Sequence, residues 1–164
     1  MSNWDRIAAT VASEFSDLSD LEQFVRACVR LLLAALLGAL LGFERERAGK
    51  SAGLRTHMLV ALGAALFVLV PLQAGADTAD ISRVVQGVVA GVGFLCAGTI
   101  IKAANSGDHV RGLTTSAGLW MTAAIGVAAG LGREMTAVLA ALLAFAILAL
   151  EEPLTRLTGK RPGD

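Results

Sequence analysis

The sequence predicts an all-α, polytopic membrane protein with five transmembrane helices in a compact bundle. Of the 164 residues, 55% are hydrophobic, and the mean hydropathy is +0.65, which is more apolar than a typical soluble domain. Long apolar stretches recur along the chain, and the charged residues lie mostly between them. Because lipid offers the backbone no hydrogen-bond partners, a stretch of roughly 20 apolar residues must cross the bilayer as a helix.

The apolar pattern divides the chain into three parts. Residues 1–23 are acidic and amphipathic, which predicts an N-terminal interfacial helix or a periplasmic tail. Residues 24–151 form the predicted transmembrane domain, and residues 152–164 form a short cytoplasmic tail. The five predicted spans are 24–43, 54–72, 84–101, 113–131 and 135–150. Short connections between them predict antiparallel neighbours.

Basic residues predict the orientation in the membrane. The segments 44–55 and 102–112 and the residues after 150 are richer in Lys and Arg than the connections on the opposite side. The positive-inside rule therefore places the N-terminus outside and the C-terminus in the cytoplasm. Arg26 and Arg30 lie within the first span, where they either snorkel to the near interface or, for Arg30, face the bundle.

Several function classes are disfavoured by the sequence. The formal net charge of zero gives no basic excess for nucleic acid. Cys28 and Cys96 lie in different spans without metal-ligand spacing, so we expect no disulfide framework and no zinc site. The stretch 49–51 resembles the end of a phosphate-binding loop, but Glu44 stands where that motif needs glycine. His57 and His109 are predicted to be isolated loop residues, and no nucleophile–base set supports catalysis, so we expect no enzyme.

Glycines spaced four apart predict close helix packing, because two backbones approach where side chains are absent. The run 91–98 holds more glycine than packing alone needs, so we also expect the third span to bend or unwind locally and line a cavity. Cys96 interrupts that run. The predicted packing residues are Gly38, Gly42, Gly87, Gly91, Gly93, Gly98, Gly126 and Gly130.

Polar side chains are predicted to gather at the cytoplasmic ends of four helices. Glu44 adjoins apolar Phe43, so we expect it to pair with Arg55 or Arg111, while Thr56 and Thr114 cap free N–H groups. Carboxylates such as Glu44 and Glu46 suit Mg²⁺, whereas the arginines and helix N-termini suit an anion, and the sequence does not choose between them. The predicted cluster contains Glu44, Arg45, Glu46, Arg55, Thr56, Arg111, Thr114 and Thr115.

Two further polar residues mark the predicted outer side of the third span. Arg83 and Gln86 follow the acidic stretch 77–80. A glutamine inside an apolar helix most often forms an interhelical hydrogen bond, which is the role we expect for Gln86.

These residues together resemble the MgtC/SapB family of bacterial inner-membrane proteins. Five motifs carry the resemblance in family order over about residues 25–150: those at 42–46, 52–59, 82–86, 91–98 and 110–120. Two features depart from the family pattern. Cys96 replaces a usual glycine, and the larger members carry a cytoplasmic C-terminal domain, whereas this sequence ends about a dozen residues after the last span. We expect any regulation by that domain to be absent or supplied by a partner.

The resemblance implies a role in magnesium homeostasis, acid stress and survival of pathogens inside phagocytes, with the F-type ATP synthase as one possible membrane partner. Two hypotheses follow. The first is a non-enzymatic membrane regulator that acts through helix contacts and needs no cofactor. The second is a small dimeric transporter or channel for Mg²⁺, protons, K⁺ or phosphate. Because the glycine strips exceed what five helices need internally, we expect a homodimer in the lipid bilayer.

Overall fold

A computed structural model describes residues 2–16, 20–104 and 112–150, except for the side chains of 102–104. Six helices are present in that part of the chain: α1 (Asn3–Glu14), α2 (Leu21–Arg47), α3 (Leu54–Gln73), α4 (Thr78–Ala104), α5 (Leu113–Gly130) and α6 (Glu134–Ala149). Helices α2 to α5 are long and apolar enough to cross a membrane, and α6 is a shorter apolar helix. The prediction of an all-helical, polytopic membrane bundle is therefore confirmed.

Local chemistry sets where several helices begin. The Ser2 hydroxyl and the Asp5 carboxylate form a reciprocal capping box at the start of α1. Asp20 caps α2 by accepting from the Glu22 N–H, and Asp77 accepts from the Asp80 N–H at the start of α4. Helix α1 is exposed along its length and packs against none of the other described helices. The predicted tail at 152–164 lies outside the described residues.

Helix α5 is the centre of the bundle. It packs against α2, α3, α4 and α6, while α2 also packs against α3 and α6. The core is built largely from alanines, because small side chains let the helices approach closely. Its fully enclosed members include Ala34, Leu41, Ala61, Ala65, Ile125, Ala129, Ala137 and Ala141.

Two glycine seams fix the distances between α2, α3 and α5. A Cβ added at Gly38 would lie 2.6 Å from the carbonyl oxygen of His57, and one at Gly42 would lie 2.7 Å from the Cα of Leu54. At the second seam, a Cβ at Gly126 would overlap the Ala61 carbonyl oxygen. Gly130 meets Ala65 in the same way. The backbones at these four positions leave no room for a side chain.

Helix α4 is peripheral. Among its described side chains only Ile81 and Val92 are buried, and a Cβ at Gly87, Gly91, Gly93 or Gly98 would meet nothing within 4 Å. These four glycines therefore do not pack against the described part of the chain. The helix is also continuous from Thr78 to Ala104, so the expected unwinding of the third span is wrong. In lipid, unwinding would leave backbone N–H and C=O groups without partners. That cost exceeds the low helix propensity of glycine, so the helix stays intact.

Replacing Gly126 by alanine should lower the free energy of unfolding by roughly 1–3 kcal/mol, the usual cost of overpacking, because the new Cβ overlaps the Ala61 carbonyl oxygen. Gly63→Ala is the matched control, since a Cβ there meets nothing within 4 Å and gains the same helix propensity. Unfolding in mixed micelles by SDS titration, followed by circular dichroism, measures both. Equal stability of the two variants would contradict the close contact between Gly126 and the α3 backbone.

Candidate functional site

An enclosed ion pair terminates α2. The Arg45 side chain is fully buried and that of Glu44 is 13% exposed. Arg45 donates from Nε and Nη2 to the Glu44 carboxylate, with a distance of 2.6 Å from Nη2 to Oε1. Its Nη2 also donates to the Leu148 carbonyl oxygen at 3.1 Å, in the last turn of α6. The two-pronged contact offsets part of the cost of removing both charges from water, and it ties α2 to α6.

The neighbouring carboxylate has a structural role. Glu46 Oε2 accepts from the Leu54 N–H at 2.8 Å and so satisfies the first backbone donor of α3. Gly53 allows this approach, because a Cβ there would lie 2.7 Å from the same oxygen. Glu44 and Glu46, the predicted Mg²⁺ ligands, are thus both engaged by protein donors. We call the region where α2 and α6 end and α3 and α5 begin the Arg45 end of the bundle.

His57 is the second fully buried polar side chain at the Arg45 end. It lies in the first turn of α3, so the prediction of a loop histidine is wrong: Gly38 and Gly42 bring the α2 backbone onto this turn and enclose the ring. Nδ1 lies 3.0 Å from the Gly53 carbonyl oxygen, which can only accept, so Nδ1 carries a proton. Nε2 has no hydrogen-bond partner within the described residues, and it faces Gly118 on α5.

The predicted cluster is only partly brought together. Glu44 pairs with Arg45, its own neighbour, and the expected pairing with Arg55 is wrong because Arg55 is exposed and makes no ion pair with the described residues. Thr56 and Thr114 are also exposed, and they cap nothing, since the N-caps of α3 and α5 are Gly53 and Gly112.

Two other members of the cluster remain. Thr115 is buried in the first turn of α5. Arg111, the alternative partner of Glu44, lies outside the described residues.

At the opposite end, Arg30 faces the bundle. Its guanidinium donates to the Gly130 carbonyl oxygen at 3.3 Å and lies 3.7 Å from Glu134, so it ties α2 to the connection between α5 and α6. Gly132, with φ of 73°, turns the chain there and leaves space that the guanidinium occupies. Arg83 pairs with Asp80 on the surface. Gln86 is exposed and makes no interhelical hydrogen bond within the described chain, so that expectation is wrong for the single protomer.

A polar clasp that the sequence reasoning missed joins α4 to α5. The Ser116 hydroxyl donates to the Cys96 carbonyl oxygen at 2.9 Å, and the Cys96 thiol reaches the Ser116 carbonyl oxygen at 3.2 Å. The Thr99 hydroxyl lies 2.5 Å from the Ser116 hydroxyl. The available signal was a pair of hydroxyls in otherwise apolar helices, which in lipid indicates an interhelical contact.

The buried polar side chains of the described residues therefore join helices to one another and form no metal-ligand set. No group of three or more His, Cys, Asp or Glu side chains converges in the part of the chain that the structure describes. The fold and these polar contacts define the chain as a polytopic helical membrane protein with a buried arginine–glutamate pair at one end.

The chain belongs to the MgtC family, whose profile matches residues 31–157. It is 53% identical over 113 residues to Protein SrpB of Synechococcus elongatus, covering 63% of this chain and 62% of that protein. It is 46% identical over 123 residues to Protein MgtC of Brucella abortus (75% and 50%), and 39% identical over 134 residues to the putative magnesium transporter YhiD of Escherichia coli (77% and 61%). The alignments thus span between half and about three-fifths of these relatives' own length. No solved structure matches significantly.

Truncating Arg45 should destabilise the fold strongly, whereas truncating Arg55 should leave its stability almost unchanged. Arg45→Ala leaves Glu44 without its buried partner, and we expect a loss of roughly 3–5 kcal/mol in unfolding free energy. Arg55→Ala changes an exposed side chain and should stay within about 0.5 kcal/mol of the parent protein. SDS titration in mixed micelles measures both variants. An Arg45→Ala protein with the unfolding free energy of the parent would show that the ion pair does not stabilise the bundle.

Proposed function

We propose that this chain is a non-enzymatic regulator of magnesium homeostasis in the bacterial inner membrane, and that it acts by docking α4 against a helix of another molecule. The observation that carries the proposal is the outer face of α4, formed by Gln86, Ala90, Gly93 and Ala97. All four residues are exposed. At about 100° per residue they fall on one side of the helix, within a sector roughly 60° wide.

The outer face has the chemistry of a helix–helix contact in lipid. Small residues at Gly93 and Ala97 are spaced four apart, which lets a second backbone approach. The Gln86 amide has no partner within the described residues, and leaving an amide unpaired at the outer edge of the span has a free-energy cost. A neighbouring helix that accepts and donates to Gln86 relieves that cost. Lipid tails offer no such partner.

Two kinds of partner suit the same face. A second copy of the chain, related by a twofold axis, can pair Gln86 with Gln86 and form a homodimer. Another membrane complex, such as the F-type ATP synthase implied by the family resemblance, can offer a comparable helix. The names of the relatives, which include MgtC and a putative magnesium transporter, support magnesium as the physiological context. The predicted orientation places the Arg45 end in the cytoplasm.

Gly93→Leu should abolish the association, and with it any growth advantage that the parent protein confers at low Mg²⁺, while leaving the fold intact. A Cβ at position 93 meets no described atom within 4 Å. Ala146→Leu on α6 is the matched control, since it also enlarges an exposed small residue. Native mass spectrometry of protein extracted with its surrounding lipid identifies dimers and co-purified proteins. Full association and growth of the Gly93→Leu variant would contradict docking on this face.

A small dimeric transporter is the second candidate, and the buried His57 ring beside the Glu44–Arg45 pair favours it. These groups place titratable chemistry inside the predicted cytoplasmic end of the bundle. Protein reconstituted into liposomes tests the alternative directly. Under the regulator proposal, fluxes of Mg²⁺, protons, K⁺ and phosphate equal those of protein-free liposomes. A flux that the parent protein supports and His57→Phe abolishes would replace the regulator by a transporter.

A further inference from the structure

A long apolar groove separates α3 from α4 on the side of α4 away from its outer face. Its volume is about 720 Å³, which lies within the range of small-molecule sites. The walls are aliphatic and aromatic side chains, and a Cβ at Gly63, Gly87 or Gly91 would meet nothing within 4 Å. The groove therefore has side-chain walls and an open strip along its glycines.

The two ends of the groove differ in polarity. Arg55 and Thr56 line it at the Arg45 end, and every other lining residue is apolar. Arg55 is exposed and makes no hydrogen bond or ion pair with other described residues. The first backbone donor of α3 is already taken by Glu46, so the Arg55 guanidinium and the Thr56 hydroxyl are the groups that a ligand meets at this mouth.

The length of the groove matches one leaflet of a bilayer. Its lining on α3 runs from Arg55 to Phe67, which is about 18 Å of helix at 1.5 Å per residue. Half of a hydrocarbon core of about 30 Å is about 15 Å. A molecule with an anionic head at Arg55 and an apolar tail as deep as one leaflet therefore fits both the charge and the dimensions.

We propose that the groove between α3 and α4 binds one anionic phospholipid, with its phosphate on Arg55 and Thr56 and an acyl chain against Gly63, Gly87 and Gly91. The positive-inside prediction places this mouth in the cytoplasmic leaflet, next to the basic segment 44–55 that attracts anionic headgroups. The lipid fills the space that separates α4 from α3, so it supports the position of α4 in the bundle. The site is separate from the outer face and holds whether or not that face docks a partner.

Native mass spectrometry tests the site on protein reconstituted in nanodiscs of equal phosphatidylglycerol and phosphatidylcholine and then released into mild detergent. The parent protein should retain phosphatidylglycerol over phosphatidylcholine by about fivefold, the equivalent of about 1 kcal/mol per basic group at the surface. Arg55→Gln should remove the preference but keep a bound lipid. Gly91→Leu should remove the retained lipid altogether, because leucine fills the groove.

Two controls keep the test specific. Arg26→Gln removes an exposed cation elsewhere on α2, and Ala97→Leu enlarges the outer face of α4, so both should retain phosphatidylglycerol like the parent. Equal retention of the two lipids by the parent protein would overturn the headgroup assignment. Loss of a dimer in Gly91→Leu without any loss of lipid would show that a helix of a second copy occupies the groove, and would overturn the proposal.

Discussion

The close approach of backbones at the two glycine seams is the constraint on which the rest of this structure depends. In lipid, burying one apolar helix against another gains little from the hydrophobic effect. Close van der Waals packing and polar contacts between helices must therefore hold the bundle together. Gly38 and Gly42 set α2 against α3, and Gly126 and Gly130 set α5 against α3. The burial of the polar side chains at the ends of the bundle follows from these short distances between helices.

The enclosed polar groups complete this arrangement. At one end Arg45 joins α2 to the end of α6, and at the other Arg30 joins α2 to the start of α6. Helix α2 is thus held to α6 at two points, Arg30 and Arg45, which lie about four turns apart. By contrast, the described side chains of α4 are held by the clasp of Cys96 and Thr99 on Ser116 and by a small apolar contact, which leaves two of its faces exposed. We expect this difference between α2 and α4 if α4 binds a partner outside the chain, as proposed.

The sequence was sufficient to predict the membrane class, the helix positions and the close contacts at Gly38, Gly42, Gly126 and Gly130, because hydropathy and residue size are local properties. A Cβ at any of the four predicted packing glycines of α4 would meet no described atom within 4 Å. Pairing was harder to predict. Glu44 was expected to pair with Arg55 or Arg111, but its observed partner is Arg45, whose guanidinium is buried in the bundle beside it. Helix rotation decides which arginine is buried. His57 was misplaced for the same reason: its burial depends on how closely α2 approaches α3. The expected unwinding of α4 failed because glycine content lowers helix propensity without outweighing the cost of bare backbone in lipid.

The most direct test of this account asks what covers α4 in the native membrane. A spin label at position 97, on the outer face, is compared with one at position 146 on α6, in vesicles from cells that express the protein at its normal level. The account predicts that the label at 97 is immobile and shielded from dissolved oxygen, as at a helix contact, while the label at 146 moves freely in lipid. Equal mobility and equal oxygen access at both positions would contradict it.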